Sequence, residues 1–427
     1  MASVTFYPGR LRGSALVPPA KSEAHRALLL AAFSGRPCRL EGFAPPLCDD
    51  TYAMINGITA LGASVRAEST ALIVTPMPPK AAPRPMVDCQ VHACAAALRM
   101  LIPAFLVRGQ AVRFHMEPGL FRRPLDAFEP LIRQLGASLK RVPPDSRGEA
   151  LVELSGRMPA GHYTVDGSRS SQFASGLLIA LSHAADAQGQ PAPSRLEVTG
   201  PIVSRPYLDM TLTLMHRFGL SAKEETEGLF TLSPAAGSAP KGISIAGDWS
   251  QAAVLLCMNA MGSAIAVQNL YTGADGLQGD ARVVDALRAM RRDGGLAATE
   301  LDCSDIPDLA PILALTCSQA RGVSTLRGVS RLRIKESDRL AATCELLAQL
   351  GVTNHVSEDG DTLFVHGPAR LTGGFEADAR GDHRLVMLLA AAALSATGPI
   401  TVHGAQCIAK SWPGFVETYR QLGGRAE

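Results

Sequence analysis

The chain has 427 residues, enough for two large domains or several smaller ones. Its 47% hydrophobic and 19% charged residues can bury real cores, which excludes a disordered chain. A formal net charge of +2 excludes a global basic field for nucleic acid, so any anion site must be local.

The nine cysteines run from Cys38 to Cys407 with no C-x-x-C pair, which reads as reduced, mostly buried thiols in a cytoplasmic protein. The opening MASVTFYPGR has no apolar core for a secretory signal, and no apolar run reaches the roughly 18–20 residues of a membrane span. From Ser22 onward six segments are apolar almost all round and begin on polar residues. They are 22–35, 93–109, 170–185, 248–262, 308–322 and 382–398. Helices apolar on every side are buried. Five of the six end in Gly, and each is followed by a strand-like run: CRLEGF, AVRFHM, RLEVTG, AIAVQNL, STLRGV and ITVHGA. Between them recur amphipathic helical patterns that stop at LGASV (Leu61), LGASL (Leu135), FGLSA (Phe218), DGGLA (Asp293), LGVTN (Leu350) and LGGRA (Leu422), with Gly placed as a left-handed cap.

The chain is therefore predicted as six copies of one unit: buried helix, strand, exposed helix, strand. The sixth copy stops at LGGRAE, and the N-terminal run SVTFYPGRLRGSALVPP is placed to supply its closing strands. Three units per domain give one domain over 20–240 and a second over 241–427 plus 1–19, an α/β architecture of two barrel-like domains with a cleft between them.

Polar residues collect where these helices begin. Lys21, Ser22 and Arg26 open the first buried helix, Ser170, Ser171 and Gln172 the third, Asp308 the fifth, and Asp382, His383 and Arg384 the sixth. Exposed helices start near Arg123, Ser204, Tyr207, Lys335, Glu336, Arg339 and Lys410. Taken singly, each has a bland reading: Lys21 as a solvated surface residue, Ser170 as a cap, Glu336 and Arg339 as an (i, i+3) pair. Together they are less bland. Helix N-termini favour negative charge, so bases recurring there point to bound phosphates or carboxylates. No P-loop, dinucleotide fingerprint, H-E-x-x-H or metal-spaced Cys/His cluster is present.

The segments K-S-E-A-H-R (21–26), D-G-S-R-S-S-Q-F (166–173), S-R-P-Y-L-D (204–209), G-D-W-S-Q-A (247–252), I-P-D (306–308), R-I-K-E-S-D-R-L (333–340), G-D-H-R (381–384) and A-K-S-W-P (409–413) together resemble the EPSP synthase (3-phosphoshikimate 1-carboxyvinyltransferase) family, in order over the whole chain. The resemblance implies two inside-out α/β barrel domains of three repeats each. It implies transfer of the enolpyruvyl group of phosphoenolpyruvate to the 5-hydroxyl of shikimate 3-phosphate, by addition and then elimination of phosphate. It implies two small-molecule substrates, no metal and no organic cofactor. From the chain itself a monomer is expected, with neither nucleic acid nor membrane as partner. Carried over by position, Lys21, Arg123, Gln172, Arg339, Arg384 and Lys410, with Ala95 in the adjoining loop, would hold phosphoenolpyruvate. Lys21, Ser22, Arg26, Ser170, Ser171, Gln172, Ser204, Asp308 and Lys335 would hold shikimate 3-phosphate. Asp308 would be the base at the 5-hydroxyl, and Glu336, with Lys21, would move the proton at the methylene carbon.

The match departs from the family at one loop. Where members carry N-x-G-T-A-x-R, this chain has A-C-A-A-A-L-R, so Ala93, Ala95 and Ala96 replace Asn, Gly and Thr while Arg99 stays. Ala95 adds a methyl where Gly permits close approach of a ligand. Poor glyphosate binding is expected, with weaker phosphoenolpyruvate affinity as a second consequence. Arg331 stands where some members have Asn. Two further readings stay open: transfer to another acceptor such as UDP-N-acetylglucosamine, against which P-G-L-F-R-R-P (118–124) lacks a reactive Cys, and a non-catalytic sensor of a phosphorylated metabolite.

Overall fold

In a computed structural model the protein is described over residues 3–78, 85–146, 148–234, 240–271 and 276–427. The chain divides into two compact units. One is Pro19–Ala246; the other is Gly247–Glu427 joined by the residues up to Pro18.

In Pro19–Ala246 the helices Lys21–Phe33, Ala95–Arg108 and Ser171–Leu181 are buried on nearly every side, as their all-round apolar sequences require. Two of them approach at backbone distance. A Cβ on Gly176 would lie 2.8 Å from Met100 Cα and 3.0 Å from the Arg99 carbonyl oxygen, so only glycine fits there. The helices Asp49–Ala60, Glu129–Leu135 and Arg205–Arg217 bury one face only. The pattern PLDAFEPLIRQ forms a helix only from Glu129, after a 3-10 turn over Asp126–Phe128. Pro130 has no N–H and is tolerated only in a first turn.

Sheets cover this helical core. Strand Val87–His92 runs parallel to Val112–Met116, which is antiparallel to Ala150–Ser155, with Ser138–Val142 on the edge. Val112, Phe114 and Met116 are buried while Arg113 and His115 between them are not, the period of two expected of a sheet with one wet face. The same order recurs around Cys38–Glu41 and around Ser194–Thr199. Among the described residues each sheet is open.

The other unit repeats the plan. Helices Trp249–Ala260, Ala310–Cys317 and His383–Ala393 are buried, and Val283–Met290, Arg339–Gln349 and Phe415–Gln421 are amphipathic. Gly322–Arg327 sits in a sheet of the same order. Ile400–His403 pairs in parallel with Phe375–Asp378 and antiparallel with Ser3–Phe6, and Arg12–Leu16 pairs in parallel with Ala264–Gln268.

Each four-stranded repeat holds more strands than the sequence pattern shows. A two-stranded hairpin follows the exposed helix, and a further strand leads into the next repeat. The hidden strands are edges such as Ser64–Ala67 and Ala222–Thr226. They are polar and exposed, so they carry no apolar alternation to read.

Candidate active site

In Pro19–Ala246 the polar residues form two groups. Lys21, the first residue of its helix, places Nζ 2.7 Å from Asp50 Oδ2. Burial disfavours the ammonium, but the Asp50 carboxylate outweighs it and holds the Lys21 pKa above its ordinary value. His25 Nε2 lies 2.8 Å from the Asp50 carbonyl oxygen, and burial pushes the His25 imidazole down to about 4, so it is neutral at pH 7. Arg26 is fully buried and donates to three uncharged oxygens: Ser22 O at 2.7 Å, Thr211 Oγ1 at 2.7 Å and Ser175 Oγ at 3.0 Å. Burial lowers the Arg26 pKa to about 10 against the pull of Tyr207 and the Glu23 carboxylate, so an incoming anion would favour its charged form.

The second group centres on Arg99. It donates to Gln172 Oε1 and to the Pro124 carbonyl oxygen, each at 3.0 Å, with its guanidinium 4.7 Å from the Phe173 ring centroid. The Gln172 carbonyl is thereby occupied, which leaves its NH2 as the group able to donate. Ser170 caps Ser171–Leu181 by accepting from Gln172 N at 3.3 Å, which leaves its O–H free to donate. Ser204 precedes Arg205–Arg217 in a left-handed conformation without a side-chain cap bond, and Arg123 follows the short helix Pro118–Phe121. Ala95 opens Ala95–Arg108 behind Cys94, whose Sγ accepts from Ala97 N at 3.4 Å.

In the unit containing Gly247–Glu427, one guanidinium organises the site. Arg339 is 1% exposed at the first position of its helix. It donates to Asp382 through Nε (2.8 Å) and Nη2 (3.1 Å), to Asp308 Oδ1 through Nη1 (2.8 Å), and to Glu336 Oε2 through Nη2 (2.6 Å). Asp382 is wholly buried. It also accepts from Ser337 Oγ at 3.1 Å and caps His383–Ala393 through Arg384 N at 3.0 Å. Lys335 Nζ is 3.1 Å and Arg384 Nη2 3.9 Å from Asp308, and Lys410 Nζ is 3.9 Å from Glu336 Oε1. Arg384 is anchored on Ser250 through its carbonyl at 2.8 Å and its hydroxyl at 2.6 Å.

Four cations thus face three carboxylates. Desolvation raises the Asp308 pKa, but Lys335, Arg339 and Arg384 win and hold its carboxyl well below the usual range. For Lys335 desolvation dominates instead and lowers its pKa despite Asp308. The surplus cation and the one-third exposed Asp308 make this a place where a small anion can enter and compete with the carboxylates.

The acids interleaved with bases in R-I-K-E-S-D-R-L have separate jobs. Asp338 caps the helix by accepting from Ala341 N at 3.0 Å, while Glu336 turns onto Arg339. Sequence reasoning missed Asp50, Ser250 and the anchoring role of Asp382. Asp50 stands in a first turn and Asp382 at an N-cap, where any helix favours an acid, and Ser250 is one hydroxyl at a helix start, so nothing in their placement marks them. Backbone strain gives an independent signal. His92, Ser204 and Arg380 have φ of 47°, 54° and 53°, and each lies at or beside a segment singled out above. Such conformations cost about 1–2 kcal/mol per residue and cluster at functional sites. Among the described residues no group of three or more His, Cys, Asp or Glu could hold a metal ion.

A profile of the EPSP synthase (3-phosphoshikimate 1-carboxyvinyltransferase) family matches residues 7–419. The 3-phosphoshikimate 1-carboxyvinyltransferase of Clostridium kluyveri is 31% identical, with 100% of this chain and 99% of that protein covered. The protein of the same name from Methanocorpusculum labreanum is 34% identical, with 97% of each covered. The solved EPSP synthase of Acinetobacter baumannii has the same fold, with a TM-score of 0.77 at 21% identity over 100% of both chains.

Proposed function

The chain belongs to the EPSP synthase family, and from that premise we propose that it joins phosphoenolpyruvate to the 5-hydroxyl of shikimate 3-phosphate through the residues described above. Asp308 takes the hydroxyl proton as the oxygen bonds to C2 of phosphoenolpyruvate. Glu336, with Lys21, delivers a proton to the methylene carbon. In the second half the new methyl group returns a proton, the bond from C2 to the phosphate oxygen breaks, and phosphate leaves. Arg339, Arg384 and Lys410, with Lys21, Arg123 and Gln172, hold the phosphate and carboxylate of phosphoenolpyruvate. Ser22, Arg26, Ser170, Ser171, Ser204 and Lys335 hold shikimate 3-phosphate.

One observation carries this reading: a single buried guanidinium bridges the two carboxylates that need opposite proton tasks. It also explains how a weak base becomes a working one. With its cations in place Asp308 binds a proton poorly. An anionic substrate that draws Lys335 and Arg384 onto itself removes that opposition, so Asp308 gains basicity only when substrate is present.

Phosphate release from purified protein tests the reading. Release should need both substrates and vanish in Asp308→Ala; release with phosphoenolpyruvate alone, or an active Asp308→Ala, would refute it. The methyl of Ala95 supports a finer proposal, low glyphosate sensitivity, for which Ala95→Gly should lower the inhibitor concentration needed for half-inhibition. We also place the enzyme in the cytoplasm as a monomer, in keeping with nine free thiols. Sedimentation equilibrium giving a dimer would count against the monomer.

A further inference from the structure

Pro19–Ala246 holds a cavity of about 600 Å3 that none of the residues discussed so far explains. Its volume lies within the roughly 300–1,000 Å3 of small-molecule sites. Its apolar surface is offered by the half-buried Ile132 and Leu139, with Leu125 and the fully buried Phe128 packed behind them. The rim carries Arg122, Arg133 and Arg141. Among the described residues none of these three arginines makes an ion pair or side-chain hydrogen bond. Arg141 is held in place by the Phe121 ring, 4.5 Å from its centroid. Asp126 on the wall pairs with Arg169 through Oδ2 at 2.9 Å, and its buried Oδ1 and Glu129 are the opposing charges.

We propose that this cavity binds a small aryl anion, its rings against Ile132 and Leu139 and its carboxylate under the Arg133 and Arg141 guanidinia, and that its occupancy is coupled to Gln172. The apolar surface selects rings, and unpaired guanidinia select a planar oxyanion. Two contacts lead from the cavity to the site. The Phe128 ring meets Phe173 edge-on at 4.8 Å, next in chain to Gln172. The carbonyl of Pro124, also on the wall, receives the Arg99 guanidinium that holds Gln172. A ligand that shifts Phe128 or Pro124 therefore moves a donor that the reading above gives to phosphoenolpyruvate. The coupling rests on that reading, whereas the binding does not.

The probe is 1-anilinonaphthalene-8-sulfonate, followed by fluorescence on the full chain without substrates. The expected result is displacement by 2-naphthoate, with 2-naphthamide and the Arg133→Glu/Arg141→Glu variant each weaker by roughly tenfold or more. Ile132→Trp, which fills the cavity, should also abolish binding. Equal displacement by the amide, or unchanged binding in both variants, overturns the site. Saturating 2-naphthoate should then change the KM for phosphoenolpyruvate by about fivefold or more in the parent and not in the Arg133→Glu/Arg141→Glu variant, whose probe-free kinetics should match the parent. Binding without any change in KM overturns the coupling alone. A protein that binds naphthoate yet releases no phosphate would refute the assigned reaction instead.

Discussion

Asp382→Ala should be the most damaging single truncation outside the groups given substrate or proton roles. The side chain is wholly buried and makes four hydrogen bonds: two from Arg339, one from Ser337 Oγ and one from Arg384 N. Each bond to a charged group is worth about 1.5–3 kcal/mol, and the cap adds about 1 kcal/mol. Arg339 keeps Asp308 and Glu336, so its charge is not orphaned, and a net loss of about 4 kcal/mol follows, within the range for breaking a buried pair. At about 2–4 °C per kcal/mol for a body of this size, calorimetry should find one transition lowered by roughly 8–16 °C. Arg339 also loses its fixed bidentate support, so kcat/KM should fall by about 100-fold or more, a barrier increase near 3 kcal/mol. Asp382→Asn should be no milder, because its NH2 would meet either Arg339 Nε or the Arg384 backbone N–H. A variant within about 1 kcal/mol of the parent and as active would show that Asp382 supports neither the helix start nor Arg339.

Three further outcomes follow from the geometry. Asp50→Asn removes the carboxylate that holds the Lys21 pKa up, leaving burial to pull it down. The alkaline limb of the kcat/KM profile should then move to lower pH, and the rate at pH 7 should fall by about tenfold or more; an unmoved limb would exclude Lys21 as the acid. Asp308 has a folded pKa below its unfolded value of about 3.9, so it contributes stability above that pH and loses it as pH falls through the folded value. Urea midpoints should therefore drop less steeply below about pH 4 in Asp308→Asn than in the parent. Gly176→Ala drives a methyl toward backbone atoms at 2.8 and 3.0 Å and should cost about 1–3 kcal/mol, seen as a lower urea midpoint at constant slope.

The six buried helices were legible in the sequence because an all-round apolar helix has no other place to go, and the caps after Leu135 and Leu350 because glycine does what few residues can. Lys21, Arg339 and Asp308 were legible through their motifs. The edge strands were not, since Ala222–Thr226 pairs through backbone groups while its side chains face water. Asp50 and Ser250 were not legible either. Their roles arise from which helices meet, Asp49–Ala60 with Lys21–Phe33 and Trp249–Ala260 with His383–Ala393, and single-chain periodicity carries no information about that.

Strands Ser3–Phe6 and Arg12–Leu16 have a consequence for synthesis. Leu11 bonds to Ser263, 252 positions later, and Thr5 to Thr401, 396 positions later. At about 5–20 residues per second on a ribosome, the first strands wait roughly 13–50 s for one partner and 20–80 s for the other. Throughout that interval they are unpaired edges, guarded by Arg10, Arg12 and two glycines that disfavour pairing with a neighbouring chain. The strands and helices of Pro19–Ala246 pair within that stretch, which is complete while the rest is still being made. A nascent chain stalled before residue 400 would therefore hold every strand of Pro19–Ala246 but leave Ser3–Phe6 without its partner.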